Sequence, residues 1–264
     1  MAQLKKKSFR KRFIAIGGGL GDCYQPIEES YQLTRKALTL IEEFDFPVHI
    51  LTKSPLVKRD IDIVKRINKK SRAIVSMSFF SVNDEISKIF EPGASSPSER
   101  LRILELIKSE GIPCGMFILS VIPFIADKLD LLEDTIRCAS EVGLDFIIFG
   151  VMTLKEGKQK SCFLKTLKKY YPALILEYEN LYQENKRGNA ANNYYQSINF
   201  LFDKMVKRFK ISPRILPGLY WEIHEENDLI IVILEHLACL LKMKGKEAHY
   251  SYAAYSISKL KNLF

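Results

Sequence analysis

Along roughly the first 150 residues, short apolar runs alternate with segments whose apolar residues recur every three or four positions. The runs are FIAIG at 13–17, PVHILT at 47–52, AIVSMSF at 73–79, IPCGMFIL at 112–119 and DFIIFGV at 145–151. Each has the length and the β-branched or aromatic content of a buried strand. Their starts lie 34, 26, 39 and 33 residues apart, and a helical pattern fills each gap. Leu33, Ala37, Leu38, Ile41 and Phe44 predict one apolar helix face, and Ile61, Val64 and Ile67 a second. SPSERLRILELIKSEG at 96–111 carries its own start and stop signals. Ser96 is placed to cap the helix, Pro97 fits its first turn and Glu99 completes a capping box. Leu101, Leu104 and Ile107 predict the core stripe, and Gly111 the end of the helix.

Strand, helix, strand, repeated, implies parallel pairing. The fold class is therefore α/β, either an open doubly wound sheet or a complete or partial (β/α) barrel. In both, ligands bind where strands end and helices begin. Beyond residue 152 the strand signal stops, and helices are expected at about 158–187, 192–209 and 226–244, with a proline-containing joint, ISPRILPGLY, at 211–220. The pattern divides the chain into an α/β unit at 1–155 and a helical C-terminal extension at 156–264 packed on it.

Composition adds limits. With 47% hydrophobic and 27% charged residues among 264, the chain is of ordinary globular make-up. No apolar run approaches the roughly 18 residues of a membrane span, so no membrane partner is expected. The opening MAQLKKKSFRKRF lacks the apolar stretch of a secretory signal, and a cytoplasmic location is expected. The net charge is +9 and is concentrated: Lys5, Lys6, Lys7, Arg10, Lys11 and Arg12 form one cluster. Lys155, Lys158, Lys160, Lys165, Lys168 and Lys169 form a second, and Lys204, Lys207, Arg208, Lys210 and Arg214 a third. Such clusters suit nucleic acid or a solvated lysine-rich surface, and charge alone leaves both open. Cys23, Cys114, Cys138, Cys162 and Cys239 are at least 24 residues apart, and the four histidines make no HxH or HxxxH pair. No metal site is predicted.

The first strand runs into GGGLGDCYQP, where Gly17, Gly18 and Gly19 either let the backbone approach a ligand or make a tight turn. Neither dinucleotide-binding nor P-loop spacing is met. Lys53 and Ser54 fall at the C-terminal end of the second strand, where a lysine can bind a carboxylate or phosphate. In the third strand Ile74, Ser76 and Ser78 share one face, opposite Val75, Met77 and Phe79. Two hydroxyls on a buried face need partners, from the backbone or from a polar ligand. Glu91, Pro92 and Arg100 bracket the loop before the capped helix, and Arg100 either faces a ligand or pairs with a nearby carboxylate.

Taken in order, GDCYQPIEESYQLTRKAL, PVHILTKSPLVKRDIDIV, AIVSMSF, IFEPGASSPSERL and GIPCGMFILSVIPFIAD form a series of blocks. The series resembles the spore photoproduct lyase-like branch of the radical S-adenosylmethionine (radical SAM) superfamily, which includes DNA-repair photolyase-like proteins. Those proteins carry D-x-Y-Q-P-x-E, L-T-R, T-K-S-x-L-x-x-R-D, E-P-x-x-x-x-P-x-x-R-L and P-x-x-P-x-x-x-D. The resemblance implies a partial barrel that binds S-adenosylmethionine across the C-terminal ends of its strands. It implies that Gly17–Gly19 receive the methionyl amino group, that Lys53 lies near the methionyl carboxylate, and that Ser76 or Ser78 lies near the ribose. Asp22 and Arg100 match the aspartate and arginine of their blocks, and the resemblance makes them cofactor-binding candidates with Gly17, Gly18, Gly19, Lys53, Ser76 and Ser78.

The resemblance also implies a 4Fe-4S cluster held by a CxxxCxxC loop, and this sequence contains no such loop. The cluster ligands, with a first strand and helix, are therefore expected from coding sequence upstream of a misplaced start or from a separately encoded N-terminal fragment, or the chain is a degenerate copy. Three functional expectations follow. One is 5′-deoxyadenosyl-radical chemistry on an unidentified, nucleic-acid-like substrate, inactive in this chain alone. The alternative is a non-catalytic nucleotide- or nucleic-acid-binding module descended from the same fold. A metal-free barrel enzyme using Lys53, Asp22 and Glu91 is the third.

Overall fold

The computed structural model describes residues 13–17, 21–183, 188–219, 226–243, 246–247 and 249–259. Gly18, Gly19, the first basic cluster and part of the joint after Leu219 lie outside these residues.

The five apolar runs are five strands: β1 (Ile14–Gly17), β2 (Val48–Thr52), β3 (Ala73–Phe79), β4 (Cys114–Val121) and β5 (Phe146–Val151). They form one parallel sheet in the order β1-β2-β3-β4-β5. Strands laid down in sequential order with crossovers of one hand put their helices on one face and curl the sheet around the other. Val48, Ile50, Val75, Met77, Met116, Ile118 and Ile147 belong to the buried core on the helical side. By strand alternation His49, Leu51, Ile74, Ser76, Ser78, Phe117, Leu119 and Ile148 point to the concave side.

The covering helices are α1 (Glu28–Tyr31), α2 (Leu33–Glu43), α3 (Ile61–Lys70), α4 (Asp84–Phe90), α5 (Pro97–Ser109) and α6 (Leu129–Glu141). At α5 the Ser96 side chain accepts the Glu99 N–H, Pro97 sits in the first turn, and Gly111 takes φ +73° just past the end. The buried stripe of α5 differs from the expected one. Arg100, Ile103, Leu104 and Ile107 are buried and Leu101 only partly so, because the helix turns Arg100 inward. On α2 the buried face is Thr34, Leu38 and Ile41, while Leu33 stays exposed at the first position.

The C-terminal extension is helical, with more breaks than its pattern predicted. Pro172 interrupts the first segment, giving α7 (Lys158–Tyr170), a 3-10 turn and α8 (Ile175–Leu181). Then follow α9 (Asn192–Arg208), α10 (Glu226–Met243) and α11 (Tyr250–Lys259). The extension is tied to the sheet at several points. Phe149 stacks on Phe202 at 4.3 Å, Tyr178 and Tyr182 donate to the carbonyls of Pro123 and Met152, and Ile147 N–H donates to the Ser212 carbonyl. No helix among the described residues is long and apolar enough to cross a membrane.

Candidate functional site

The motif blocks converge at the C-terminal ends of β1 and β2, and most of their polar residues serve one another. Asp60 is fully buried and accepts hydrogen bonds from Tyr24, Arg35 and Arg59. Glu28 accepts from Arg59 and from the N–H groups of Leu33 and Thr34. Burial opposes the Glu28 charge, but the Arg59 bond and these N–H groups outweigh it and hold the carboxyl below its usual 4.5. Burial and the Asp60 charge push the Tyr24 phenol well above its usual value, so it remains a donor. Tyr24, Glu28, Arg35, Arg59 and Asp60 are a buried lattice fixing two loops.

That lattice aims Asp22 at the end of β2. Its Oδ1 accepts from Thr52 Oγ1 at 2.6 Å and from Tyr24 N–H at 2.9 Å, and its Oδ2 accepts from Lys53 N–H at 2.7 Å. With these bonds Asp22 is a bracket between the loop after β1 and the end of β2. Gly17 takes φ +84°, and a Cβ there would stand 2.0 Å from the Leu51 carbonyl oxygen, so only glycine permits this approach of β1 to β2. Gly18 and Gly19 lie outside the described residues.

The Lys53 side chain projects into the cleft beyond the strands. Its ammonium lies 3.3 Å from Glu91 Oε1 and 3.4 Å from Ser78 Oγ, and it is 37% exposed. Glu91 also binds Arg100, whose side chain is wholly buried. Arg100 donates at 2.7 Å to Glu91 Oε2, to the Ser78 carbonyl and to the Ser95 carbonyl, and its guanidinium lies 5.7 Å from the Phe79 ring centre. Glu91 thus joins an inner cation, Arg100, to an outer one, Lys53. Ser76 is separated from this group. It is fully buried deeper in the concave face and shares a 2.9 Å hydrogen bond with His49 Nε2. The structure therefore brings Lys53, Ser78, Glu91 and Arg100 together, sets Asp22 behind them as a brace, and leaves Ser76 below.

The cleft above has a volume of about 390 Å3. Lys53 and Glu91 supply charge, Gln159 and Thr166 hydrogen-bonding groups, and Leu119, Ile122, Met152 and Phe163 apolar surface. A neighbouring cavity of about 440 Å3 shares Met152 and is edged by Thr153, Asn189, Asn192 and Tyr195. One wall of the cleft is α7, whose residues Lys158, Lys165, Lys168 and Lys169 are exposed, whereas Lys160 pairs with Glu156. In the third basic cluster Lys207 pairs with Asp203 and Arg208 with Glu133. Sequence reasoning missed α7 as a wall of the cleft, because nothing in a helical pattern says which loop it will overhang. Cys162 lies there too, exposed.

Comparison with known proteins supplies the class. The profile of the Radical SAM superfamily matches residues 1–134, and the chain belongs to this superfamily. An uncharacterized protein of Mycobacterium tuberculosis is 27% identical over 184 residues, covering 69% of this chain and 53% of that protein. An uncharacterized protein of Methanocaldococcus jannaschii is 29% identical over 153 residues, 58% of this chain and 54% of that protein. The chain thus spans about half the length of these curated relatives. Among solved structures, a single-site mutant of spore photoproduct lyase with dinucleoside spore photoproduct superposes with a TM-score of 0.56 at 16% identity, over 79% of this chain and 62% of that one. A double mutant of the same enzyme with bound AdoMet and dinucleoside spore photoproduct gives 0.54. At that identity the likeness is one of fold: the partial barrel with its helical extension.

The superfamily implies S-adenosylmethionine and a 4Fe-4S cluster, and the two fit differently. An ammonium beside a carboxylate and a hydroxyl, with apolar walls, suits a zwitterionic amino acid joined to a nucleoside. The cluster does not fit. No group of three or more cysteine, histidine or acidic residues placed to hold a metal occurs among the described residues, and the five cysteines are scattered. Cys23, the one in the loop after β1, has its thiol pushed up to about 12 by burial and then by the Asp22 charge, the opposite of what a thiolate ligand needs.

Proposed function

We propose that this chain is the S-adenosylmethionine-binding part of a radical SAM protein of the spore photoproduct lyase-like branch, with a polyanionic, nucleic-acid-like substrate. The observation that carries the reading is the position of Lys53. It is a partly exposed ammonium at the C-terminal end of a parallel strand, held by Glu91 and Ser78 at the mouth of the cleft. There it can neutralise the methionyl carboxylate, while the Ser78 hydroxyl and the Glu91 carboxylate can serve the ribose or the amino group. The exposed lysines of α7 beside the same cleft favour a phosphate backbone over a neutral substrate. Cluster thiolates would have to come from outside this chain's own cysteines, and by itself the chain is inactive in radical generation.

The scattered cysteines favour one second reading, a binding module for nucleotides or nucleic acid that has left redox chemistry behind. Anaerobic incubation with iron and sulfide, followed by absorption spectroscopy and calorimetry, separates the two. The first reading expects saturable S-adenosylmethionine binding with no cluster absorption from the chain alone. Binding of adenosine phosphates in preference to S-adenosylmethionine would establish the second. A single-stranded DNA titration should give a log–log salt slope of about −0.7 per phosphate contact, and a flat response would remove the nucleic-acid substrate.

A further inference from the structure

Lys53 is held at both ends. A lysine ammonium rides on a flexible aliphatic stem, so its place is set by the backbone it leaves and by what meets its tip. At the tip, Glu91 Oε1 lies at 3.3 Å and Ser78 Oγ at 3.4 Å, both longer than a strong charge-assisted bond. At the backbone, the Lys53 N–H donates to Asp22 Oδ2 at 2.7 Å, and the Lys53 carbonyl accepts from Ser95 Oγ. Ser95 lies in the loop between α4 and α5. The end of β2 is therefore braced from two sides, by the loop after β1 and by the loop before α5.

The Ser95 brace is itself gripped. Arg100 Nε donates to Ser95 Oγ at 3.3 Å, and Arg100 Nη2 donates to the Ser95 carbonyl at 2.7 Å. The same guanidinium donates to Glu91 Oε2 and to the Ser78 carbonyl, each at 2.7 Å. Glu91, Ser78 and Ser95 all meet Lys53, and Arg100 holds all three. The Arg100 side chain is wholly buried on α5, so this anchor belongs to the core and not to the cleft surface. A hydroxyl has one donor and two acceptor pairs, and accepting from Arg100 Nε leaves the Ser95 proton for the Lys53 carbonyl. Alanine at 95 would remove these two bonds and keep the backbone contact with Arg100.

We propose that Ser95 is a positioning residue of the candidate S-adenosylmethionine site, resting on Lys53 as the partner of the methionyl carboxylate. Its hydroxyl couples the buried Arg100 to the Lys53 carbonyl and so sets where the ammonium meets the ligand. Ser95 falls at a variable position of the E-P-x-x-x-x-P-x-x-R-L block, and no motif marks it. Hydrogen bonds weaken steeply with distance and misalignment, so a strand end that loses its brace carries the ammonium off the carboxylate without removing it. The effect is therefore smaller than that of removing Lys53, and it vanishes when Lys53 is absent.

Calorimetric titration of the full chain, Ser95→Ala, Ser95→Thr, Lys53→Met and the Ser95→Ala/Lys53→Met double variant tests this. The ligands are S-adenosylmethionine and 5′-methylthioadenosine, which lacks the amino acid arm. Ser95→Ala should weaken S-adenosylmethionine about three- to tenfold, the loss of one neutral hydrogen bond, and leave methylthioadenosine within about twofold. It should add nothing in the Lys53→Met chain, and Ser95→Thr, which keeps the hydroxyl, should bind as the parent does. A merely structural role would weaken both ligands alike and persist without Lys53. Should Ser95→Thr fail to fold, the double variant decides. Carbon-13 NMR of the lysine Cε positions gives a readout that needs no ligand. The Lys53 signal, identified by its absence from Lys53→Met, should shift in Ser95→Ala. If the parent binds no S-adenosylmethionine while that signal shifts, the cofactor reading fails and the brace stands. If Lys53→Met weakens binding while Ser95→Ala does not, weakens both ligands equally or leaves the Lys53 signal in place, the proposal is overturned and the cofactor reading stands.

Discussion

Replacing Arg100 by methionine separates a strut from a ligand contact. The guanidinium is wholly buried and makes three hydrogen bonds of 2.7 Å, to Glu91, Ser78 and Ser95. Each is charge-assisted and worth about 1.5–3 kcal/mol if taken alone. The sum overstates the loss, because methionine also avoids the cost of burying a guanidinium. Glu91 keeps Lys53 and is 19% exposed, so its charge is not stranded. The partly buried Ser78 and Ser95 carbonyls do lose this donor. The expected cost is therefore about 3–5 kcal/mol, the range for removing one member of a buried pair. Glu91→Gln, which leaves an acceptor for Arg100, should cost only about 1–2 kcal/mol. The double variant should be less destabilised than the two losses added, by roughly 1–3 kcal/mol. Urea unfolding followed by circular dichroism reads all three. A loss under about 1 kcal/mol for Arg100→Met, with S-adenosylmethionine binding abolished, would refute the assignment and make Arg100 a ligand contact.

Three further outcomes follow from the same geometry. Gly17→Ala should cost roughly 2–3 kcal/mol in a thermal melt, since the new Cβ meets the Leu51 carbonyl oxygen at 2.0 Å in a left-handed backbone; an unchanged melt would contradict the tight approach of β1. His49 has its pKa lowered by burial to about 4 from 6.5, so its stabilising contribution is complete above pH 6.5 and is lost as pH falls towards 4. That amounts to roughly 3 kcal/mol, and His49→Gln should flatten this slope; an imidazole titrating near 6.5 by NMR would show it to be solvated. In alkylation at pH 8, exposed Cys162 should react first, while Cys23 and Cys114, both raised to about 12 chiefly by burial, should lag by orders of magnitude.

The strands were legible because parallel, two-sided burial writes near-continuous apolar runs, as in AIVSMSF over β3. The α5 cap was legible because Ser96, Pro97 and Glu99 act within one turn. The period-2 rule also sorted β3, with Val75 and Met77 in the helical-side core. What the sequence did not disclose is which motif residues face a ligand. Tyr24, Glu28, Arg35, Arg59 and Asp60 lie far apart in sequence, and their mutual pairing exists only after α2 and α3 dock. Asp22 lies 30 residues before Thr52 in sequence, and its bonds to Thr52 and to the Lys53 N–H exist only once β1 pairs with β2. Ser76 and Ser78 share a face, yet two residues of rise put one beside His49 and the other beside Lys53.

The central claim is that S-adenosylmethionine binds at the C-terminal ends of the strands against Lys53. Calorimetric titration of the chain and of Lys53→Met with S-adenosylmethionine tests it most directly. Loss of one charged contact predicts an affinity reduced by about 1.5–3 kcal/mol, at least tenfold. The urea midpoint should stay within about 1 kcal/mol of the parent, because a half-exposed ion pair contributes little to the fold. Equal affinity in the two proteins, or no saturable binding in the parent chain, would contradict the account.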